Sequence, residues 1–271
     1  VDSDVEEASE SNNARTCNQI TIQEDLPDLE ATSVSTSSSS AIMGDTITVQ
    51  YRIDNIGTDS SGSFYRKLYL STDSTITTAD TYVDEFSESS ISGGSYRSGY
   101  EYNVPIPTGI NPGYYYLGLI ADNRGSVNEL DETNNIVSSN SRIDIEEPAD
   151  LVPDNPSGPS SAQAGQQVSI SWRIDNAGDD TSGWFYWEMY LSTDSTITTS
   201  DTKLGSTQQA SSISGGSYRS GTYSPTLPSN LAQGTYYFGI IVDTTSRVSE
   251  GDETNNVEAG NSVYIAVPDY D

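Results

Sequence analysis

The sequence is a duplication. The decapeptide YLSTDSTITT at residues 69–78 recurs unchanged at 190–199, ISGGSYRSG at 91–99 recurs at 213–221, and DETNN at 131–135 recurs at 252–256. A spacing of roughly 120 residues is the size of a folded domain, not of a solenoid repeat a few tens of residues long. Each copy is long enough to bury one sandwich-sized core. A catalytic centre seldom needs doubling within one chain, whereas structural and adhesive modules often stand in tandem.

Within each copy the apolar residues alternate. Ile47, Val49, Tyr51 and Ile53 are interleaved with Thr48, Gln50 and Arg52, and the second copy repeats the pattern with Val168, Ile170, Trp172 and Ile174. Phe185, Trp187, Met189 and Leu191 alternate with Trp184, Tyr186, Glu188 and Tyr190. A period of two in β-branched and aromatic residues predicts strands buried on one face. The stretches 114–121 and 236–242 are more continuously apolar and read as central strands. Turn signals separate the runs: Met43-Gly44-Asp45, Asn55-Ile56-Gly57, Ser92-Gly93-Gly94 and Asn111-Pro112-Gly113. No amphipathic stretch of helical period appears. In the first copy, strands are predicted to start near Asp28, Thr46, Phe64, Thr81, Ser98, Gly113 and Asn135. The expected fold is all-β: two tandem seven-stranded immunoglobulin-like β-sandwiches behind a short N-terminal extension.

The repeated motifs fall in one order. Each copy opens with Asp-Leu (Asp28-Leu29, Asp150-Leu151), then Gly-Asp or Gly-Gln (Gly44-Asp45, Gly165-Gln166), then Ile-Asp-Asn-x-Gly at 53–57 and 174–178. Tyr-Leu-Ser-Thr-Asp follows, with a second Asp (Asp80, Asp201), then Gly-x-Tyr-Tyr at 113–116 and 234–237, and Val-x-Glu-x-Asp-Glu-Thr-Asn-Asn closes the copy at 127–135. The second copy closes on the variant Val-Ser-Glu-Gly-Asp-Glu-Thr-Asn-Asn at 248–256. This order resembles the CARDB family, the cell-adhesion-related domain found in bacteria and archaea. The resemblance covers 27–147 and 149–268 and leaves 1–26 as an N-terminal arm. It implies Ig-like sandwiches in secreted or surface proteins, with an adhesive or spacing role and no intrinsic catalysis. The family is also appended to secreted hydrolases, so the alternative reading is a carbohydrate-binding or spacer region of such an enzyme.

Forty acids against eleven Lys and Arg give a formal charge of −29. Such a field repels nucleic acid and anionic lipid and attracts cations. It also suits a chain that works in salt, as does a polar surface of Ser and Thr with Lys only at Lys67 and Lys203. No apolar run approaches the roughly 20 residues of a membrane helix. The opening VDSDVEE reads as a mature end after signal cleavage, so the expected location is secreted, extracellular or on the cell surface. The single cysteine, Cys17, allows no intrachain disulfide; it is a free thiol in the arm or a bridge to another chain.

The repeated loop acids are the candidate site. Carboxylates interleaved with Asn and backbone carbonyls supply the hard oxygens that Ca²⁺ takes, about 6–8 of them in flexible geometry. The candidate ligands are Asp73, Asp80, Glu129, Asp131 and Glu132 in the first copy, and Asp194, Asp201, Glu250, Asp252 and Glu253 in the second. The competing reading is that these acids accept local backbone N–H bonds in turns, and the adjacent Asn134, Asn135, Asn255 and Asn256 are read that way. Strand parity places the loops carrying Asp73 and Asp80 at the end of the first sandwich that meets the second, with Asp175, Asp179, Glu250, Asp252 and Glu253 opposite. Ca²⁺ at that junction is expected to stiffen the pair into a rod.

The arm carries one candidate strand, with Ile20 and Ile22 among polar neighbours. It belongs to its own domain or is donated to the sheet edge of a second copy. Head-to-tail contact between like domains does not close on itself, so the expected partner is the chain itself in an extracellular filament. A rival reading uses Trp184, Tyr186 and Tyr190 as an aromatic row for extracellular polysaccharide. Catalysis is the weakest reading. The chain has no His, which removes Ser-His-Asp and Cys-His chemistry, and it lacks a phosphate-cradling Gly-Lys-Ser/Thr loop.

Overall fold

The computed structural model describes residues 25–266, so Cys17, Ile20 and Ile22 lie outside the described residues. The predicted alternation is realised in β3 (Thr46–Asn55), where Ile47, Val49, Tyr51 and Ile53 all point into the core. Around it the first copy forms β1 (Leu29–Thr36), β2 (Ser40–Ile42), β4 (Phe64–Ser71), β5 (Thr81–Glu88), β6 (Ser95–Pro105), β7 (Gly113–Ile120) and β8 (Ile136–Glu146). The second copy repeats the set as β9 (Leu151–Ser157), β10 (Ser161–Gln163), β11 (Ile170–Asn176), β12 (Phe185–Ser192), β13 (Thr202–Ala210), β14 (Tyr218–Tyr223), β15 (Gly234–Val242) and β16 (Val257–Ala266). There is no helix among the described residues.

Each copy is a sandwich of a three-stranded and a five-stranded sheet. The order is β1-β3-β6 over β2-β8-β7-β4-β5 in the first, and β9-β11-β14 over β10-β16-β15-β12-β13 in the second. The main strands pair antiparallel, and the fold is the expected pair of tandem Ig-like sandwiches. Each copy adds one strand to the expected seven. After β1 the chain crosses from the small sheet to the large one, and the three residues of β2 pair in parallel with β8, Ser40 opposite Asp144 and Ile42 opposite Glu146. β10 pairs in the same way with β16.

The two cores are separate and homologous. Leu29, Val49, Ile53, Phe64, Leu68, Leu117, Leu119 and Ile145 fill the first; Leu151, Ile170, Ile174, Phe185, Met189, Phe238, Ile240 and Ile265 fill the second. They differ at one level. In the first sandwich Arg66 is fully buried, pinned between the rings of Tyr51 at 3.7 Å and Phe86 at 4.6 Å. It donates from Nε to Glu88 at 2.6 Å and from Nη2 to Glu101, and the Tyr51 hydroxyl donates to Glu88 at 2.8 Å. Burial, then the bond to Glu88, pushes the Tyr51 hydroxyl up to about 12. At the same strand positions the second sandwich has Trp187 for Arg66, Ala210 for Glu88 and Tyr223 for Glu101. Charge is thus exchanged for aromatic packing, with Trp172 and Trp187 4.8 Å apart and Trp187 and Tyr223 5.6 Å apart.

The segment leading into each sandwich is docked rather than loose. Residues 25–28 and 147–150 run past the loop that follows the second strand of the small sheet. Ile56 N–H donates to the Asp28 carbonyl at 2.8 Å and Ala177 N–H to the Asp150 carbonyl at 2.7 Å. Leu130 N–H donates to the Pro27 carbonyl at 3.0 Å and Gly251 N–H to the Ala149 carbonyl at 2.9 Å. The approach is so close that a Cβ on Gly178 would sit 1.8 Å from the Pro148 carbonyl oxygen, and one on Gly57 2.3 Å from that of Leu26.

Candidate functional site

The DSTITT loops fold back over the outer face of the large sheet. Ile76 packs on Tyr69 and Ile120, and Ile197 on Tyr190 and Ile241, which anchors each loop in a small apolar cluster of its own. The flanking acids close its turns. Asp73 Oδ1 accepts the Thr75 N–H at 2.7 Å, and Asp80 Oδ2 accepts both the Thr77 N–H at 2.6 Å and the Thr77 hydroxyl at 3.0 Å. The second copy repeats this with Asp194 and Thr196 at 2.8 Å, and with Asp201 and the Thr198 N–H at 2.7 Å. Burial disfavours the charge on Asp80 and Asp201, but hydrogen bonds from Ser71 and Thr77, or from Ser192 and Thr198, outweigh it and hold both carboxyls below their usual range.

The DETNN corner ties the last hairpin to the start of each sandwich. Glu129 is 7% exposed; its Oε2 accepts the Leu29 N–H and its Oε1 the Asn135 amide at 2.9 Å. Glu250 repeats both contacts, with Leu151 N–H and with Asn256 at 2.8 Å. Burial, only partly offset by these bonds, pushes both carboxyls up to about 7. Glu132 and Glu253 fold back to accept the N–H groups of Glu129 at 3.1 Å and Glu250 at 3.0 Å. Asp131 accepts the Thr133 hydroxyl at 2.6 Å and N–H at 2.8 Å, and Asp252 the Thr254 hydroxyl at 2.6 Å and N–H at 2.8 Å, bonds that hold both acids below the usual range. Asn134 and Asn255 donate to Asp28 and Asp150, each at 2.8 Å.

All ten candidate ligands are thus hydrogen-bond acceptors already: eight close their own turns, and Glu129 and Glu250 hold the backbone at the start of their sandwich. Among the described residues no group of three or more Asp, Glu, His or Cys side chains gathers as a metal cage would require. The donor set is spread along loops that already satisfy it, and it does not fit a Ca²⁺ cage of converging oxygens. The cleft between the sandwiches is lined from the first by Asp45, Thr108 and Ile110 and from the second by Glu147, Asp150, Asp180 and Glu250; Asp73 and Asp80 are not among its lining residues.

Two arrangements escaped the sequence reading. Asn55 and Asn176, each 1% exposed, are pegs that fasten three loops. Asn55 Oδ1 accepts the Asp28 N–H at 3.0 Å, and its amide donates to the Asp59 and Ile91 carbonyls, both at 2.8 Å. Their recurrence inside Ile-Asp-Asn-x-Gly was the available signal. The aromatic row also differs from an open platform. Tyr190 is buried beneath the Ile197 loop, and the Arg247 guanidinium covers the Trp184 ring at 3.5 Å.

The family model named CARDB matches residues 26–139 and 148–260, so it covers most of both copies. Comparison with curated proteins gave no match. Solved structures with similarity include a CARDB domain from Pyrococcus furiosus described in complex with di-metal ions, 18% identical over 44% of this chain and 90% of that one, TM-score 0.35. A domain of a putative cell surface protein from Methanosarcina acetivorans is 22% identical over 44% of this chain and 92% of that one, TM-score 0.32. Red sea bream transglutaminase aligns over 90% of this chain and 32% of its own at 10% identity, TM-score 0.28. Likenesses this distant carry no argument about ligand or activity.

Proposed function

The chain belongs to the CARDB family, and on that premise we propose that it is a non-catalytic element of the cell surface, holding or spacing an adhesive contact. The observation that supports this most is the repeated lead-in. The segment 147–150 binds the second sandwich through the same pair of backbone bonds by which 25–28 binds the first. A module that receives its predecessor in a fixed way suits a tandem array, because the direction of the incoming chain is set by hydrogen bonds rather than by a loose linker.

The finer form of this reading adds secretion, head-to-tail self-association and a role for Ca²⁺. The shared lead-in favours head-to-tail growth, since a neighbouring copy could approach residues 25–28 as the first sandwich approaches 147–150. Donation of a strand carrying Ile20 and Ile22 is one way to make that contact. Ca²⁺ enters as a counterion that screens a surface of −29, rather than as a caged ligand. Antibody labelling of intact cells is the test of location: signal is expected without lysis, and signal only after lysis would sink the proposal. Sedimentation and negative-stain microscopy of the full chain, with millimolar Ca²⁺ or a chelator, test the rest. Filaments that require residues 1–24 support strand donation, and a monomer under all conditions removes self-assembly.

A further inference from the structure

The second sandwich has an open flank where the first is plugged. Between the two edge strands β13 and β14 lies a cleft of about 800 Å³. Its inward-facing wall is Trp172, Trp187, Gln208, Ala210, Arg219 and Tyr223. The same gap in the first sandwich is occupied by the Arg66 network: Glu88 stands where Ala210 does, Glu101 where Tyr223 does, and Phe86 where Gln208 does. Truncation of Glu88 to Ala210 removes the group that bridged the sheets. Tyr223 instead hydrogen-bonds the backbone of β13 at Ser206, accepting its N–H at 3.1 Å, and this closes one end of the cleft.

The lining has an unusual charge. The chain carries forty acids, yet no Asp or Glu is among the residues that line this cleft. Apart from Arg219, its polar groups are uncharged: Gln208, Gln209 and the hydroxyls of Ser and Thr residues around the rim. Two of the chain's three tryptophans, Trp172 and Trp187, form its floor, tilted against each other at 43°. An aromatic floor beneath uncharged donors and acceptors fits a ligand with an apolar ring face and a hydroxylated edge. The surrounding negative field disfavours an anionic ligand, and the missing carboxylates leave no partner for a cationic one.

We propose that this cleft is a binding site for a neutral saccharide, with a pyranose ring stacked on Trp172 and its hydroxyls met by Gln208 and the Ser-rich 211–217 loop. The site belongs to the second sandwich alone. It is independent of where the protein resides, because a sugar would bind there in solution.

The test uses the full chain carrying Trp184→Phe, so that tryptophan emission reports on the cleft, titrated with neutral β-1,4-glucose, N-acetylglucosamine and mannose oligosaccharides. The proposal expects a saturable emission change with at least one of them, and amide shifts in NMR spectra confined to 206–223 and the neighbourhoods of Trp172 and Trp187. Ala210→Glu and Gln208→Phe each restore the residue the first sandwich holds at that position. At least one should fold with an unchanged melting midpoint, and it should weaken binding by about ten-fold or more. The proposal is overturned if no saccharide gives a saturable change, if a folded cleft-filling variant keeps its affinity, or if an unrelated extended peptide shifts the β13 and β14 amides while the sugars do not.

Discussion

Ile76 fills the space that a side chain on Gly118 would need. A Cβ built on that glycine would lie 2.5 Å from Ile76 Cγ2, and one on Gly239 would lie 2.4 Å from Ile197 Cδ1. The loop is therefore held down by a knob over a missing side chain. Gly118→Ala is expected to destabilise the first sandwich by about 1–3 kcal/mol through overpacking. In the Ile76→Ala background the same change should cost much less, because the knob is gone. Urea melts of the two single variants and the double variant check this; strict additivity would show that the contact carries no coupling.

The buried carboxyls make stability depend on pH in an unusual direction. Glu129 and Glu250 titrate near 7 when folded, above the ordinary 4.5. The folded state therefore binds more protons than the unfolded state between those values. Their contribution is fully present below about 4.5 and is lost as pH rises through about 7, by up to roughly 3 kcal/mol per site. Thermal midpoints should fall from pH 5 to pH 8. Glu129→Gln with Glu250→Gln should flatten that slope because an amide does not titrate, and the folded state should accept it because the Asn135 and Asn256 Oδ1 atoms lack partners and can receive the new amide after a flip. An unchanged slope in the double variant would assign the effect to other groups.

Arg66 cannot lose its partners singly. Arg66→Ala leaves Glu88, 8% exposed, without its nearest cation, and should cost about 3–5 kcal/mol. Replacing the three charged residues with their counterparts in the second sandwich, Arg66→Trp with Glu88→Ala and Glu101→Tyr, should recover most of that loss, since the same strand positions already pack those residues once in this chain. Calorimetry of the single and triple variants decides it. A triple variant worse than Arg66→Ala would mean that the two frameworks differ in ways the shared register hides.

The asparagine pegs should be as costly as many core residues. Asn55→Ala or Asn176→Ala removes four side-chain bonds and strands buried backbone groups, a loss of about 2–3 kcal/mol for one sandwich. Two separate unfolding transitions in calorimetry, only one of them shifted, would be the signature of a local effect.

The architecture was legible because its signals are local. Repeated peptides mark the duplication, and alternation at Ile47, Val49, Tyr51 and Ile53 marks a strand with one buried face. Turn residues such as Gly44 and Gly113 mark the ends. What stayed hidden depends on partners far apart in sequence. The Arg66 plug needs Glu101 from a strand thirty-five residues on, and nothing near Arg66 announces it. The Ile76 loop looks like a polar turn until β7 places Gly118 beneath it. The three residues of β2 are too few to show a period, and their parallel partner arrives a hundred residues later. The loop acids recur because each copy needs the same turn acceptors, a pattern that cation binding would also leave.

The parallel pairing of β2 with β8 sets how a sandwich responds when its two ends are pulled apart. Tension drawn through the start of β2 and the finish of β8 acts on those strands in opposite directions along their common axis. The hydrogen bonds between Ser40–Ile42 and the end of β8 are then sheared together instead of being unzipped one at a time. β10 and β16 repeat the clasp, so each module carries a small mechanical lock on its last strand, through which a pulling force leaves it.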